Sequence, residues 1–178
     1  MKLIILDRDG VINHDSDDYI KSADEWHPIS GSLEAIARLY LSGYRIIVIS
    51  NQSGLARGTF NIEALNSIHD KMHRLLAGYG GVIEAIFFCP HSPDDGCGCR
   101  KPRPGLYLEV AKRLRIKLNN VSAVGDKLSD IQAATAGGAK PVLVRTGYGK
   151  LVEDGGTVPD GVPIFDDLAA VVDRLLQH

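Results

Sequence analysis

Asp7 and Asp9 stand one residue apart directly after the apolar run Lys2-Leu3-Ile4-Ile5-Leu6. Such a run reads as a buried strand, and the end of a buried strand is where an open α/β sheet keeps its chemistry. A pair of aspartates there can divide labour, the first attacking a phosphorus and the second handling the proton of the leaving group. A simple aspartate turn would use the same residue types, so the rest of the chain has to decide.

The pattern around them is regular. Apolar runs at Leu3–Leu6, Arg45–Ile49, Ala85–Phe88, Val121–Val124 and Pro141–Val144, with a weak sixth at Ile164–Phe165, predict strands. Between them lie segments of helical period: 33–40 closed by Gly43, 65–76 behind an Asn61 cap, 107–114 behind Pro104, 131–135 closed by Gly137, and 168–176 at the end. Strand and helix alternating in this way predict one doubly wound, mainly parallel sheet with helices on both faces. At 178 residues and 44% hydrophobic content, one domain over residues 1–178 with a substantial core is expected.

The segments just after the strands are more informative than the strands themselves. Asp7 and Asp9 come after the first, Ser50-Asn51-Gln52-Ser53-Gly54 after the second, Cys89-Pro90-His91 after the third, and Gly125-Asp126-Lys127-Leu128-Ser129-Asp130 after the fourth. In a doubly wound sheet these loops share one edge, so four polar clusters converge, which core packing does not explain. Phosphoryl transfer needs a nucleophile in line, neutralised phosphoryl oxygens and a proton for the departing alkoxide. Asp7 and Asp126 can give carboxylates to an octahedral Mg²⁺, joined by a backbone carbonyl near Asp9. Ser50 offers a hydroxyl and Asn51 an amide to the phosphoryl oxygens, Lys101 or Lys127 a positive charge, and Asp9 a proton. Asp130, one helical turn after Asp126, suits a supporting partner or a helix cap better than a metal ligand.

All three cysteines of the chain fall between Cys89 and Cys99, an odd number and poor material for disulfides. Cys89, His91, Cys97 and Cys99 form a closed Cys₃His set suited to a tetrahedral, structural Zn²⁺ in a loop at 89–99. Its place just before Arg100-Lys101 suggests that the metal fixes those two cations toward the phosphate. Net charge is −2 and the pI about 6.3, giving no electrostatic reason to expect nucleic acid or an acidic membrane. The N-terminal apolar run is shorter than a signal-peptide core, and nowhere do about 18 apolar residues run together. A cytoplasmic, monomeric protein is expected.

Asp7-Arg8-Asp9-Gly10-Val11, Ser50-Asn51-Gln52-Ser53-Gly54, Lys101, and Gly125-Asp126 with Asp130 resemble, in order, the four motifs of the haloacid dehalogenase superfamily of phosphohydrolases. With Ala56-Arg57-Gly58, the Cys/His loop and Arg100-Lys101-Pro102-Arg103-Pro104-Gly105, the chain from Ile4 to about Gly147 is similar to that superfamily's histidinol-phosphate and sugar-bisphosphate phosphatase branch. Val11 stands where relatives often carry Thr. The resemblance implies an aspartyl-phosphate route with Asp7 as nucleophile, Mg²⁺ as cofactor, and a small phosphorylated sugar as substrate. Many relatives insert a cap domain after the first or second motif. This chain has room there only for helices and loops, so an open site is expected.

Discrimination among substrates then falls to Asn13–Pro28, which carries Asp15 and Tyr19, to Gln52–Thr59, and to the metal loop through Arg103. Arg57, Arg100 and Arg103, with Lys127, are cationic candidates for a second anionic group. Such cations favour a sugar bisphosphate over histidinol phosphate, the runner-up. Two rivals of other classes remain at this point. One is a receiver-like module that accepts phosphate on an aspartate, against which the metal loop and Asp9 speak. The other is a zinc-stabilised binding protein, against which competent residues at every catalytic position speak. His69 and His73, at i and i+4, lack the neighbouring glutamate of a zinc protease and are expected on a solvated helix face. Asp15, Asp17 and Asp18 lack an EF-hand's glycine and glutamate and suit a polar loop at the site's mouth. Gly147-Tyr148-Gly149 is too short for a dinucleotide motif, and Glu153–Gly161 reads as an exposed turn.

Overall fold

The computed structural model describes residues 1–177. Six strands form one parallel sheet: β1 (Lys2–Leu6), β2 (Tyr44–Asn51), β3 (Ala85–Cys89), β4 (Ser122–Gly125), β5 (Lys140–Val144) and β6 (Ile164–Phe165), in the order β3-β2-β1-β4-β5-β6. Register pairs Leu6 with Val48 on one side and with Val124 on the other, so β1 is the centre of the sheet. The strand order reverses between β1 and β4, and a crevice opens there at the carboxyl ends of the strands.

Alternation along β1 sends Ile4 and Leu6 to one face and Leu3 and Ile5 to the other, each into its own apolar layer. The larger layer is covered by α1 (Ser32–Leu41), α2 (Ile62–Gly78) and α6 (Leu168–Leu176), the smaller by α3 (Gly105–Leu114) and α4 (Leu128–Ala136). Asn61 caps α2 as expected, its side chain accepting from the Ala64 N–H. The chain between β1 and α1 makes no sheet of its own, but it is far from loose. Trp26 is wholly buried in the larger layer, and Lys71 on α2 donates to the backbone oxygens of Ala23 and Trp26 at 2.7 Å.

One element is unexpected: a short helix, α5 (Gly149–Asp154), which runs into the first two residues of Glu153–Gly161, the stretch read as an exposed turn. At six residues, Gly-Lys-Leu-Val-Glu-Asp, it is too short to show an apolar period in the sequence. Among the described residues, no helix is long and apolar enough to cross a membrane.

Candidate active site

The ends of β1, β2 and β4, with the segment behind β3, meet in one open cleft of about 510 Å³, lined among others by Asp7, Asp9, Asp15, Tyr19, Asn51, Gln52, Ser53, Arg100, Lys101 and Lys127. Asp7 Oδ1 accepts from the Arg8 N–H at 2.8 Å and pairs with Lys101 Nζ at 2.9 Å. Lys101 is 4% exposed, and its ammonium is spent: it also meets Asp130 Oδ1 at 2.6 Å and the Ile49 carbonyl at 3.1 Å. Burial opposes its charge, but Asp130 and Asp7 outweigh that and raise its pKa. Lys101 therefore positions Asp7 rather than presenting a free cation. Asn51 holds Lys101 in turn, its side chain exchanging two hydrogen bonds with the Lys101 backbone at 3.1 and 3.2 Å.

Asp126 is fully buried against backbone that only glycine could supply. A Cβ on Gly10 (φ 85°) or on Gly147 (φ 58°) would collide with its Oδ2, which accepts from the Tyr148 N–H at 2.9 Å. Its Oδ1 is buried with no hydrogen-bond partner. Asp7, Asp126 and Asp130 bring carboxylate oxygens within 4.8 Å of one another. Burial first, then Asp130 and Asp9, against Lys101 and Lys127, pushes Asp7 up to about 7; burial, then Asp7 and Asp130, pushes Asp126 up to about 8. Asp130 is engaged elsewhere, taking Lys101 and the N–H groups of Asp126 and Lys127, as expected of a supporting cap. Asp7 and the orphaned oxygen of Asp126 remain as hard ligands short of positive charge, which fits a divalent cation.

Asp9 is saturated. It accepts from Arg8 Nε at 2.9 Å and Nη2 at 3.1 Å, Asn13 Nδ2 at 2.9 Å and Gln52 Nε2 at 3.0 Å. Burial opposes its ionisation, but Arg8 and these donors outweigh it and lower its pKa. Ser50 is buried behind the cleft wall, its hydroxyl accepting from Gln52 at 2.7 Å.

One cationic expectation needs correction. Arg57 is exposed and is not among the cleft-lining residues, because the turn after Ser53 carries it outward. Lys127 does line the cleft, but it is paired with Asp15 at 2.8 Å and lies over the Tyr148 ring at 4.8 Å, so its charge is largely met. Arg100 fits its expected place: it lines the cleft, and its buried Nη1 has no partner. Arg103 turns away to donate to the Cys97 carbonyl. Tyr19 lines the cleft with left-handed backbone, φ 66°, edge-on to Phe60.

Three participants are not evident from sequence. Tyr148 walls the cleft and donates its hydroxyl to Asp17. It lies just beyond β5, the same position in the pattern as the polar clusters behind the first four strands, and that position is the signal that could have found it. Arg8 is wholly buried. His69, expected in solvent, is 9% exposed and faces Arg8, whereas His73 is exposed as anticipated.

Beside the cleft, Cys89, His91, Cys97 and Cys99 converge. Sγ–Sγ distances are 3.1 to 3.6 Å, and His91 Nδ1 lies 3.2 Å from Cys99 Sγ and 3.6 Å from Cys89 Sγ. Tetrahedral bonds of about 2.3 Å to one Zn²⁺ would set sulfurs about 3.8 Å apart, so the four soft donors are compatible with that ion.

A family model described as HAD-hydrolase-like matches residues 98–171, and together with full-length relatives at 50–56% identity it marks the chain as a phosphoric monoester hydrolase of the haloacid dehalogenase class. The D-glycero-beta-D-manno-heptose-1,7-bisphosphate 7-phosphatase of Bordetella bronchiseptica is 56% identical over 178 residues, covering 100% of this chain and 99% of the relative. That of Pseudomonas aeruginosa is 50% identical over 175 residues, covering 98% of each. A crystal structure of D,D-heptose 1,7-bisphosphate phosphatase from B. bronchiseptica, complexed with magnesium and phosphate, superposes with a TM-score of 0.98, 56% identity and 99% coverage of both chains. The chain belongs to the D-glycero-beta-D-manno-heptose-1,7-bisphosphate 7-phosphatase family.

Proposed function

We propose that the protein is a cytoplasmic, Mg²⁺-dependent phosphatase that removes the 7-phosphate of D-glycero-β-D-manno-heptose 1,7-bisphosphate. It would leave a heptose 1-phosphate for nucleotide-activated heptose and lipopolysaccharide core synthesis. The observation that carries this reading is the Asp7 carboxylate held at a strand end by Lys101, beside the buried and unpartnered Oδ1 of Asp126, with an unpaired arginine facing the same cleft. Named relatives at 50–56% identity support the substrate and the β anomer, and a structural neighbour complexed with magnesium and phosphate supports the cation.

Asp7 Oδ1 is fixed by Lys101 and the Arg8 N–H, and its second oxygen is free of those contacts to attack phosphorus. The new O–P bond forms as the sugar O7–P bond breaks, and Asp9 gives the departing oxygen its proton. Asp9 then takes a proton from the water that hydrolyses the aspartyl-phosphate. Protonating Asp9 works against four donors, so the approach of the leaving oxygen has to displace some of them. Asp7 and Asp126 would hold Mg²⁺, which when bound neutralises charge between the two anions. Arg100 receives the retained 1-phosphate, which histidinol phosphate lacks, and would repel that substrate's ammonium. Cys89, His91, Cys97 and Cys99 would hold Zn²⁺ and fix Arg100 and Lys101. The cytoplasm keeps such thiols reduced.

The test is kcat/KM for both heptose bisphosphate anomers, histidinol phosphate and fructose 1,6-bisphosphate. The β heptose bisphosphate is expected to lead the non-heptose substrates by more than about tenfold, some 1.4 kcal/mol of transition-state binding. Histidinol phosphate as best substrate would overturn the substrate while leaving the phosphatase.

A further inference from the structure

Arg8 stands between the two catalytic aspartates yet is not among the cleft-lining residues. It is 0% exposed, and its guanidinium reaches back to α2. Two corners of that fork, Nε and Nη2, grip the carboxylate oxygens of Asp9, and the third, Nη1, lies 3.2 Å from His69 Nε2. A guanidinium can only donate, so His69 Nε2 must be the acceptor and its ring proton must sit on Nδ1. The ring's surroundings keep it neutral: burial first, then the charge of Arg8 and that of His73 one turn along α2, hold its pKa down to about 3 against the opposing pull of Asp9.

A planar fork held at all three corners has one orientation. Held at two, with the third buried and unmet, it gains by rotating toward another acceptor, and its two bonds to Asp9 then pull that carboxylate against the hold of Asn13 and Gln52. The helix that bears His69 is itself pinned to the same part of the chain, since Lys71 on α2 binds the backbone of Ala23 and Trp26.

We propose that His69 is a positioning residue for proton transfer, setting the orientation of Arg8 and through it the direction of the Asp9 carboxylate. The proposal rests on the reading of Asp9 as the acid. Its signature is chemical. A sugar alkoxide cannot leave without a proton, whereas the leaving group of an aryl phosphate departs as a stable phenolate and needs little help. Loss of His69 should therefore harm the first and spare the second.

The experiment measures kcat/KM, which stops at the first irreversible step, for heptose 1,7-bisphosphate and p-nitrophenyl phosphate. The proteins are wild type, His69→Leu, His69→Asn, His69→Gln and Asp9→Asn, each with its Tm. His69→Leu removes the acceptor, and His69→Asn keeps polarity but falls short of Arg8, so a folded variant is available if the leucine is not tolerated. Both should lose about tenfold or more on the bisphosphate and less than about threefold on the aryl ester, with the loss in kcat rather than KM. His69→Gln, whose amide oxygen can reach Nη1, should recover most of the bisphosphate activity. Equal losses on both substrates, or no loss on the bisphosphate, would overturn the proposal. If Asp9→Asn shows no such selectivity, the reading of Asp9 fails and this inference falls with it. If Asp9→Asn shows the selectivity and folded His69→Asn does not, His69 alone is wrong.

Discussion

The carboxylate cluster and the thiol loop sit side by side and are built in opposite ways. Asp7, Asp126 and Asp130 come from the ends of two neighbouring strands and the start of α4, and all three are buried and tied by Lys101 and backbone N–H groups. The thiol loop takes its ligands from one short stretch, with Cys89 buried on β3, Cys97 and Cys99 half-buried and His91 exposed. The first is held by the sheet, so a hard ion can come and go without changing the scaffold. The second lies mostly outside the sheet and closes on itself through a turn capped by Ser92 and Asp95 and the Gly105 N–H on the Gly98 carbonyl, so a soft ion would join its four donors into one structure.

The difference can be broken first at Asp7, the proposed nucleophile. Asp7→Asn is expected to cost at least about a thousandfold in turnover with little change in Tm, because the sheet and not this carboxylate carries the fold. Near-normal turnover by folded, metal-loaded protein would end the mechanism. Asp9→Asn should slow turnover severely yet still allow acid-quench detection of phosphate on Asp7.

Next come the metals. Dialysis against a chelator at modest concentration should abolish activity reversibly with Mg²⁺ while about one zinc per chain survives gel filtration. Cys97→Ser should lower Tm by roughly 5 °C or more and weaken catalysis by freeing Arg100, while Lys101 stays held by Asp7, Asp130 and Asn51. Elemental analysis finding no zinc in protein purified without chelator would remove the contrast altogether.

A smaller effect is expected at Arg100, which links the two regions. Arg100→Ala should erode the lead of heptose bisphosphate over monophosphate substrates by about tenfold, or 1.4 kcal/mol. An unchanged ratio would mean that the retained phosphate is met elsewhere.

Much of the fold and the site is legible in the sequence because both signals are periodic. Strand period and helix period locate β1 through β6 and the five longer helices, and the rule that loops after parallel strands converge locates Asp7, Asn51 and Asp126 together. The thiol loop needs no fold to be seen, since its ligands are local. Pairing is what stays hidden. Lys127 and Asp15 meet across the mouth from distant stretches, and so do Arg8 and His69, and no single segment announces such a contact. Arg57 shows the reverse error: a charged residue in a motif can still point to solvent when the turn beneath it does.

The smallest expected effect is the pH dependence of stability in metal-free protein. Asp7 and Asp126 ordinarily titrate near 3.8, and in the fold they are pushed up to about 7 and about 8. Between those limits the folded state holds protons that the unfolded chain has released, so stability falls as pH rises through the window and levels off above it. Asp9 works the other way, but its lowered pKa makes its contribution constant above the ordinary carboxylate range. The raised pKa values of Lys101 and Lys127 place their losses at more alkaline pH. Metal-free protein should therefore lose a few degrees of Tm between about pH 5.5 and about pH 8.5. Mg²⁺ competes with those protons, so the Tm it restores should be larger at the alkaline end. Asp126→Asn, which removes one of the two titrating groups, should flatten the slope and shrink the Mg²⁺ effect, whereas Cys97→Ser should shift the whole curve without changing its slope. A metal-free Tm that rises with pH across this window would mean the acid pair is not short of positive charge, and the two regions would then differ less than their geometry implies.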